Sequence, residues 1–243
     1  MAPLGPLALV GGDELKPGNE PHDELLARAA AGGKAYVLAT AAARQRPELA
    51  VATATRWFRG LGLDVEELPA TRRAHVTSPA NAERARRGRL FYLVGGDPGL
   101  VPSLLADTPL WAAIVAAWAE GAALAGSSAG AMALCKWTLV RERMPGDDRR
   151  RYAPALGLVP GVAFLPHFDT FGHRWVTSAS DRRDATLLGV DERTAALWRD
   201  GGWRALGRGS VTVISNGERH RFEAGSPVSG LPDPASASVG PAT

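Results

Sequence analysis

The string Gly126-Ser127-Ser128-Ala129-Gly130 sets a serine hydroxyl midway between two glycines. Composition alone would produce G-x-S-x-G in about one chain in six of this make-up, so its surroundings must carry the argument. Apolar Ala122 to Ala125 lead in, and a helix-forming run, Ala131 to Trp137, leads out. A nucleophile elbow needs that order, because its serine sits on a sharp strand-to-helix turn where larger neighbours would collide with both backbones. Ser128 is therefore the candidate attacking oxygen of an acyl transfer.

A serine hydroxyl attacks only when a base takes its proton. Of the five histidines, His22, His75, His167, His173 and His220, His167 follows the apolar run Val162 to Leu165 and so stands at the carboxyl end of a strand, the rim where the elbow also lies. His167 is the expected base. Its imidazole needs a carboxylate partner, and Glu192, after Leu187 to Val190, reaches the same rim, with Asp169 and Asp191 as rivals. The oxyanion needs backbone N–H donors, which the turn Gly95-Gly96 after the buried run Leu90 to Val94 and the amide of Ala129 can supply. His167, His173 and Asp169 match no strong metal-ligand spacing, so no metal and no cofactor are expected.

These groups must be carried by elements. Short apolar runs alternate with helical patterns through the first two thirds, which predicts an α/β fold, a mostly parallel sheet with helices on both faces. Strands are expected at Leu7–Val10, Ala35–Ala39, Asp64–Leu68 and Leu90–Val94, and helices at His22–Ala31, Pro47–Gly60, Asn81–Arg87 and Ser103–Ala119. Val140 to Tyr152 reads as a charged surface loop. From Thr194 on, short strand-like runs broken by Gly201-Gly202 and Asn216-Gly217 predict C-terminal antiparallel strands. Residues 1–225 read as one hydrolytic domain, and 226–243, made of Pro, Ser, Ala and Gly, as a disordered tail.

The whole-chain numbers exclude other classes. A formal charge of +3 over 243 residues, with basic residues interleaved among acids, speaks against a nucleic-acid partner. No apolar run approaches the roughly 20 residues of a membrane span, and no secretory signal pattern opens the chain, so a cytoplasmic protein without membrane partner is expected. The one cysteine, Cys135, rules out an intrachain disulfide. A homodimer is allowed for.

With these residues in place, the chain resembles the family of serine peptidases that includes cyanophycinase and the aspartyl dipeptidase called dipeptidase E. The matching elements, in order, are the strand ending in Gly11-Gly12, Leu38 to Ala42, Val94 to Asp97, Ala125 to Ala131, Pro166 to Phe168 and Gly189 to Glu192. The resemblance reaches to about Val213. It implies a glutamine-amidotransferase-like fold, catalysis by Ser128, His167 and Glu192, and a small, acidic (aspartyl) peptide as substrate. One departure matters. Where cyanophycinases carry an arginine cluster after the histidine, this chain has Phe168-Asp169-Thr170-Phe171-Gly172-His173-Arg174, which speaks against cyanophycin. The dipeptidase pattern leaves Arg174, Arg182 and Arg183 as candidate substrate-binding arginines, with Asp97 beside the glycine turn. The competing readings are an idle member of the fold that binds a metabolite or partner, and an α/β-hydrolase esterase. The latter's Ser–acid–His order would need His220 as base.

Overall fold

The computed structural model describes residues 3–141, 150–179 and 184–234. In chain order the elements are β1 (Leu7–Val10), α1 (Glu20–Ala29), β2 (Lys34–Leu38), α2 (Pro47–Gly60), β3 (Val65–Glu67), α3 (Arg73–Val76), α4 (Pro79–Arg86), β4 (Gly88–Leu93), α5 (Leu100–Leu105) and α6 (Pro109–Ala119). Then follow β5 (Ala123–Ser127), α7 (Ala129–Leu134), β6 (Cys135–Arg141), β7 (Arg150–Pro154), β8 (Val159–Leu165), a 3-10 turn at Gly172–Trp175, and α8 (Val176–Ala179). The chain closes with β9 (Thr186–Val190), β10 (Thr194–Arg199), β11 (Gly202–Gly207), β12 (Ser210–Ser215), β13 (Glu218–Glu223) and β14 (Pro227–Val228).

Among the described residues these strands form an eight-stranded sheet, order β14-β11-β10-β1-β5-β4-β2-β3, and a six-stranded sheet, order β13-β12-β9-β8-β6-β7. The centre of the first sheet, β1-β5-β4-β2-β3, is parallel. Apart from the edge strand β3, where Glu66 and Glu67 are exposed, its strands are buried on both faces, which is why they read as apolar runs. Leu7, Leu9, Leu38, Phe91, Leu93 and Leu124 point to the side that packs on α6 and the second sheet. Ala8, Val10, Val37, Leu90, Tyr92 and Ala125 point to the opposite side, towards α1 and α2. No helix of the described residues is long and apolar enough to cross a membrane.

Five local readings are corrected. The helix expected over Ser103–Ala119 is two, because Pro109 brings no N–H and fixes its own φ while the Thr108 side chain caps the new start by accepting from Trp111 N. The run after the elbow is helical only to Leu134; from Cys135 it is β6, whose β-branched and aromatic residues pair with β7 and β8. The segment read as a charged loop therefore contains the ends of a hairpin, and its centre, 142–149, lies outside the described residues. The C-terminal strands are split between sheets, β10 and β11 joining the first and β12 and β13 the second. The start of the expected disordered tail is ordered: Pro227–Val228 pair with β11, Trp203 Nε1 donates to the Pro232 carbonyl at 2.9 Å, and Trp198 Nε1 donates to Asp233 at 3.1 Å. Two indole donors that need acceptors hold it, a demand that a count of Pro, Ser and Gly does not register.

Behind the first sheet, α1 buries His22 and Asp23 completely. Asp23 accepts from Trp57 Nε1 at 2.8 Å. Burial, reinforced by the charges of Glu14 and Glu20, pushes the Asp23 carboxyl up to about 8, and burial pulls His22 down to about 3. Both side chains are therefore neutral in the folded protein at pH 7. Unfolding restores ordinary values, so above about pH 6.5 only Asp23 differs between states, and the folded chain holds one proton more. Stability should then fall as pH rises from about 6.5 to 8, by up to about 2 kcal/mol. Below pH 6.5 the two groups act in opposite directions, since the unfolded chain takes up a proton on His22. Melting temperatures across pH 5 to 9 check this: wild type declines on the alkaline side, and Asp23→Asn flattens that decline.

Candidate active site

The residues expected for catalysis and for the oxyanion, Ser128, His167, Glu192, Gly95, Gly96 and Ala129, follow the carboxyl ends of β5, β8, β9 and β4. Ser128 follows β5, which lies between β1 and β4. It adopts φ 49° and ψ −112°, the strained turn a nucleophile elbow requires. Its N–H donates to the Val10 carbonyl at 2.9 Å, and its carbonyl accepts from Met132 N at 2.9 Å, starting α7. The flanking glycines are fixed by contact. A Cβ on Gly126 would stand 2.5 Å from the Gly130 carbonyl carbon, and one on Gly130 would stand 2.3 Å from the Leu93 carbonyl oxygen.

His167 lies two residues past β8, also at positive φ, 50°. Its N–H donates to the Gly11 carbonyl at 2.7 Å, and Phe168 N donates to Val190 O at 3.1 Å, so main-chain bonds tie this loop to β1 and β9. The ring is held on two sides. A Cβ on Gly12 would come within 2.3 Å of His167 Cε1, and the Phe171 ring stacks on the imidazole with centroids 4.7 Å apart and planes 21° off parallel. His167 Nδ1 is 2.7 Å from Glu192 Oε1, and Nε2 is 3.2 Å from Ser128 Oγ. A carboxylate only accepts, so Nδ1 carries the proton and Nε2 presents its lone pair to the serine hydroxyl.

The rival acids have other work. Asp169 Oδ1 accepts from the Glu192 N–H at 3.0 Å and so braces the backbone of the residue it was weighed against. Asp191 Oδ2 accepts from Ser210 N at 2.8 Å and Ser210 Oγ at 2.7 Å. His173 Nδ1 donates to the Phe168 carbonyl at 3.0 Å, which ties it to its own loop. Cys135 is fully buried at the start of β6, and burial raises its thiol well above the ordinary range, so it is no rival nucleophile. Among the described residues no three His, Cys, Asp or Glu side chains converge as a metal-ligand set.

Of the amides expected to bind an oxyanion, Gly95 N–H is already engaged, donating to Glu14 Oε1 at 2.9 Å. Gly96 is exposed beside it, and Ala129 opens α7, where its N–H has no intrahelical partner. Asp97 closes the turn by accepting from Gly99 N at 2.8 Å. Arg174 is exposed on the 3-10 turn and forms no ion pair among the described residues; Arg182 and Arg183 lie outside them. Sequence reasoning missed Gly12, Glu14, Thr170 and Phe171. Thr170 Oγ1 donates to Glu192 Oε1 at 3.4 Å. The available signal was Gly11-Gly12 ahead of two acids, which reads as an ordinary turn until the imidazole is seen against it.

Because the ring rests on Gly12, whose φ of +119° also disfavours a side chain, Gly12→Ala should displace the imidazole from Ser128. We expect kcat to fall by about 10²-fold or more with a smaller change in KM. Steady-state kinetics check this, and unchanged kcat would show that the ring can shift without cost.

An α/β protein with a strained serine at a strand-to-helix turn, a histidine within reach of it and a carboxylate behind the histidine has the architecture of a serine hydrolase. Residues 7–206 match the model of peptidase family S51, and the chain belongs to that family. Cyanophycinase from Trichormus variabilis is 29% identical over 217 residues, covering 86% of this chain and 72% of that protein. Cyanophycinase from Synechococcus elongatus is 31% identical over 165 residues, covering 65% and 51%. The crystal structure of a peptidase from an acI-B1 actinobacterium superposes with a TM-score of 0.81 at 29% identity, covering 93% of this chain and 97% of that one. A protein assigned as peptidase E from Listeria monocytogenes EGD-e shares the fold, with a TM-score of 0.58 at 17% identity over 90% of this chain and 98% of its own.

Proposed function

We propose that the chain is a serine peptidase that cleaves peptide or isopeptide bonds of small, acidic peptides through an acyl-enzyme. The observation that carries this is the continuous relay from Ser128 Oγ to His167 Nε2, 3.2 Å, and from His167 Nδ1 to Glu192 Oε1, 2.7 Å. Ser128 Oγ attacks the scissile carbonyl while its proton passes to Nε2, and Glu192 stabilises the imidazolium. The Gly96 and Ala129 amides receive the oxyanion. The imidazolium then protonates the leaving amine, and a water, deprotonated by the same nitrogen, hydrolyses the ester. Membership of a peptidase family supports the bond type. The acidic preference rests on Arg174, exposed on the loop that carries the base and offering a planar two-pronged donor to a carboxylate.

A fluorophosphonate probe tests the chemistry. We expect it to label Ser128 of the wild type, and the protein to hydrolyse aspartyl or isoaspartyl dipeptides in preference to neutral ones, with Arg174→Ala raising KM for the acidic substrates alone. Absence of labelling together with absence of turnover on the whole dipeptide panel would overturn the reading.

A further inference from the structure

The segment from Gly12 to Gly18 is wound unusually tightly. Gly12 and Gly18 have φ of 119° and 108°, and two residues with side chains, Asp13 and Leu15, have φ of 54° and 60°. Such conformations cost about 1–3 kcal/mol each at non-glycine residues and persist only where surroundings enforce them. Here they are enforced. Arg193 Nε donates to Asp13 Oδ2 at 2.5 Å, Arg193 N donates to Gly12 O at 2.9 Å, and Asn19 Nδ2 donates to the carbonyls of Asp13 and Lys16 at 3.0 and 2.9 Å. The residue held between the two strained positions is Glu14, and its carboxylate is turned towards the glycine turn beside Ser128. The point where a Cβ on Gly95 would stand is 3.1 Å from Glu14 Oε1 and 3.4 Å from Ser128 Cβ.

Glu14 is half-buried, receives the one N–H of Gly95, and forms no ion pair among the described residues, although the chain has 28 Lys and Arg residues. An anion here works against an oxyanion at Ser128 unless something cationic stands between them. The acyl half of a substrate can supply that cation. In a peptide cleaved after its first residue, the free α-ammonium sits on the carbon bonded to the scissile carbonyl, or one carbon further in a β-aspartyl linkage.

We propose that Glu14 binds the free α-ammonium of the substrate's first residue and so restricts the enzyme to unblocked amino termini. This rests on the peptidase reading above. It makes Glu14 a specificity-determining residue. With the ammonium bound, the carboxylate is neutralised; with an acylated amine, Glu14 is left unpaired and opposes the developing negative charge. Discrimination then appears both in binding and in kcat/KM.

The test uses α-Asp-Leu and β-Asp-Leu, each with a free and an N-acetylated amino terminus. Calorimetry with Ser128→Ala, which binds without turnover, should give at least tenfold tighter binding of a free-amine dipeptide than of its acetylated form. In Ser128→Ala/Glu14→Gln that ratio should fall below threefold. Gln keeps a carbonyl to accept the Gly95 N–H, so the loop is retained, and an unchanged melting temperature confirms it. In the active protein Glu14→Gln should lower kcat/KM on the free-amine peptide at least tenfold and leave the acetylated peptide within twofold. Equal affinities in Ser128→Ala, no binding of either form, or equal kinetic losses on both would overturn the proposal. So would tighter binding of an N-acetylated dipeptide with a cationic side chain. Failure of fluorophosphonate labelling would instead strike the peptidase reading, while the binding comparison still decides Glu14 by itself.

Discussion

Ser128→Ala is expected to abolish hydrolysis, with kcat down by about 10⁴-fold or more, and to leave the fold intact. The substitution removes only the attacking oxygen. The positive φ of 49° is tolerated about as well by alanine as by serine, and the backbone bonds that hold the elbow, Ser128 N to Val10 O and Met132 N to Ser128 O, remain. The melting temperature should therefore stay within a few degrees. Ser127 is the control, one residue away and different in every relevant respect. It ends β5 in register with Val10 and is fully buried. Ser127→Ala should keep turnover within severalfold and keep fluorophosphonate labelling, whereas Ser128→Ala should lose both. A dead Ser127→Ala beside an active Ser128→Ala would move the elbow by one residue.

The parts of the site that could be read from sequence are those whose chemistry is also their local geometry. G-x-S-x-G states both that a serine attacks and that the turn is tight, and the two close approaches, Gly126 to Gly130 and Gly130 to Leu93, are the contacts its spacing demands. His167 and Glu192 were legible because each follows an apolar strand, and in an α/β sheet that position is the reactive rim. What could not be read is what depends on two distant segments meeting. Glu14 contacts Gly95 across 81 positions, and Gly12 carries the ring of His167, a partner no local pattern announces. The division of the strands into two sheets is hidden for the same reason. β12 reads much like β10, and only its pairing with β9 shows which sheet it extends. Cys135 to Arg141 failed differently. It follows a true helix without Gly or Pro, and its apolar residues fit either period over so short a run.

Glu192→Gln should cost about 10²- to 10⁴-fold in kcat with little change in KM, because the residue acts on the base and not on bound substrate. The carboxylate at 2.7 Å does two things for His167. It accepts from Nδ1, which fixes the tautomer that leaves Nε2 free to take the serine proton, and its charge stabilises the imidazolium formed in the transition state. A carboxamide removes the charge outright. It can also turn its NH₂ towards Nδ1, which would put the ring proton on Nε2 and block proton transfer from Ser128. Thr170 Oγ1, 3.4 Å from Oε1, opposes that turn only weakly. Asp169 gives the comparison. Its carboxylate holds the Glu192 N–H at 3.0 Å and so positions the acid without touching the imidazole. Asp169→Asn retains an acceptor oxygen for that bond and should lose less than tenfold. Kinetics of the two variants under one set of conditions separate the roles: a larger loss in Asp169→Asn than in Glu192→Gln would make Asp169 the anion that the imidazolium depends on, with Glu192 reduced to holding the ring.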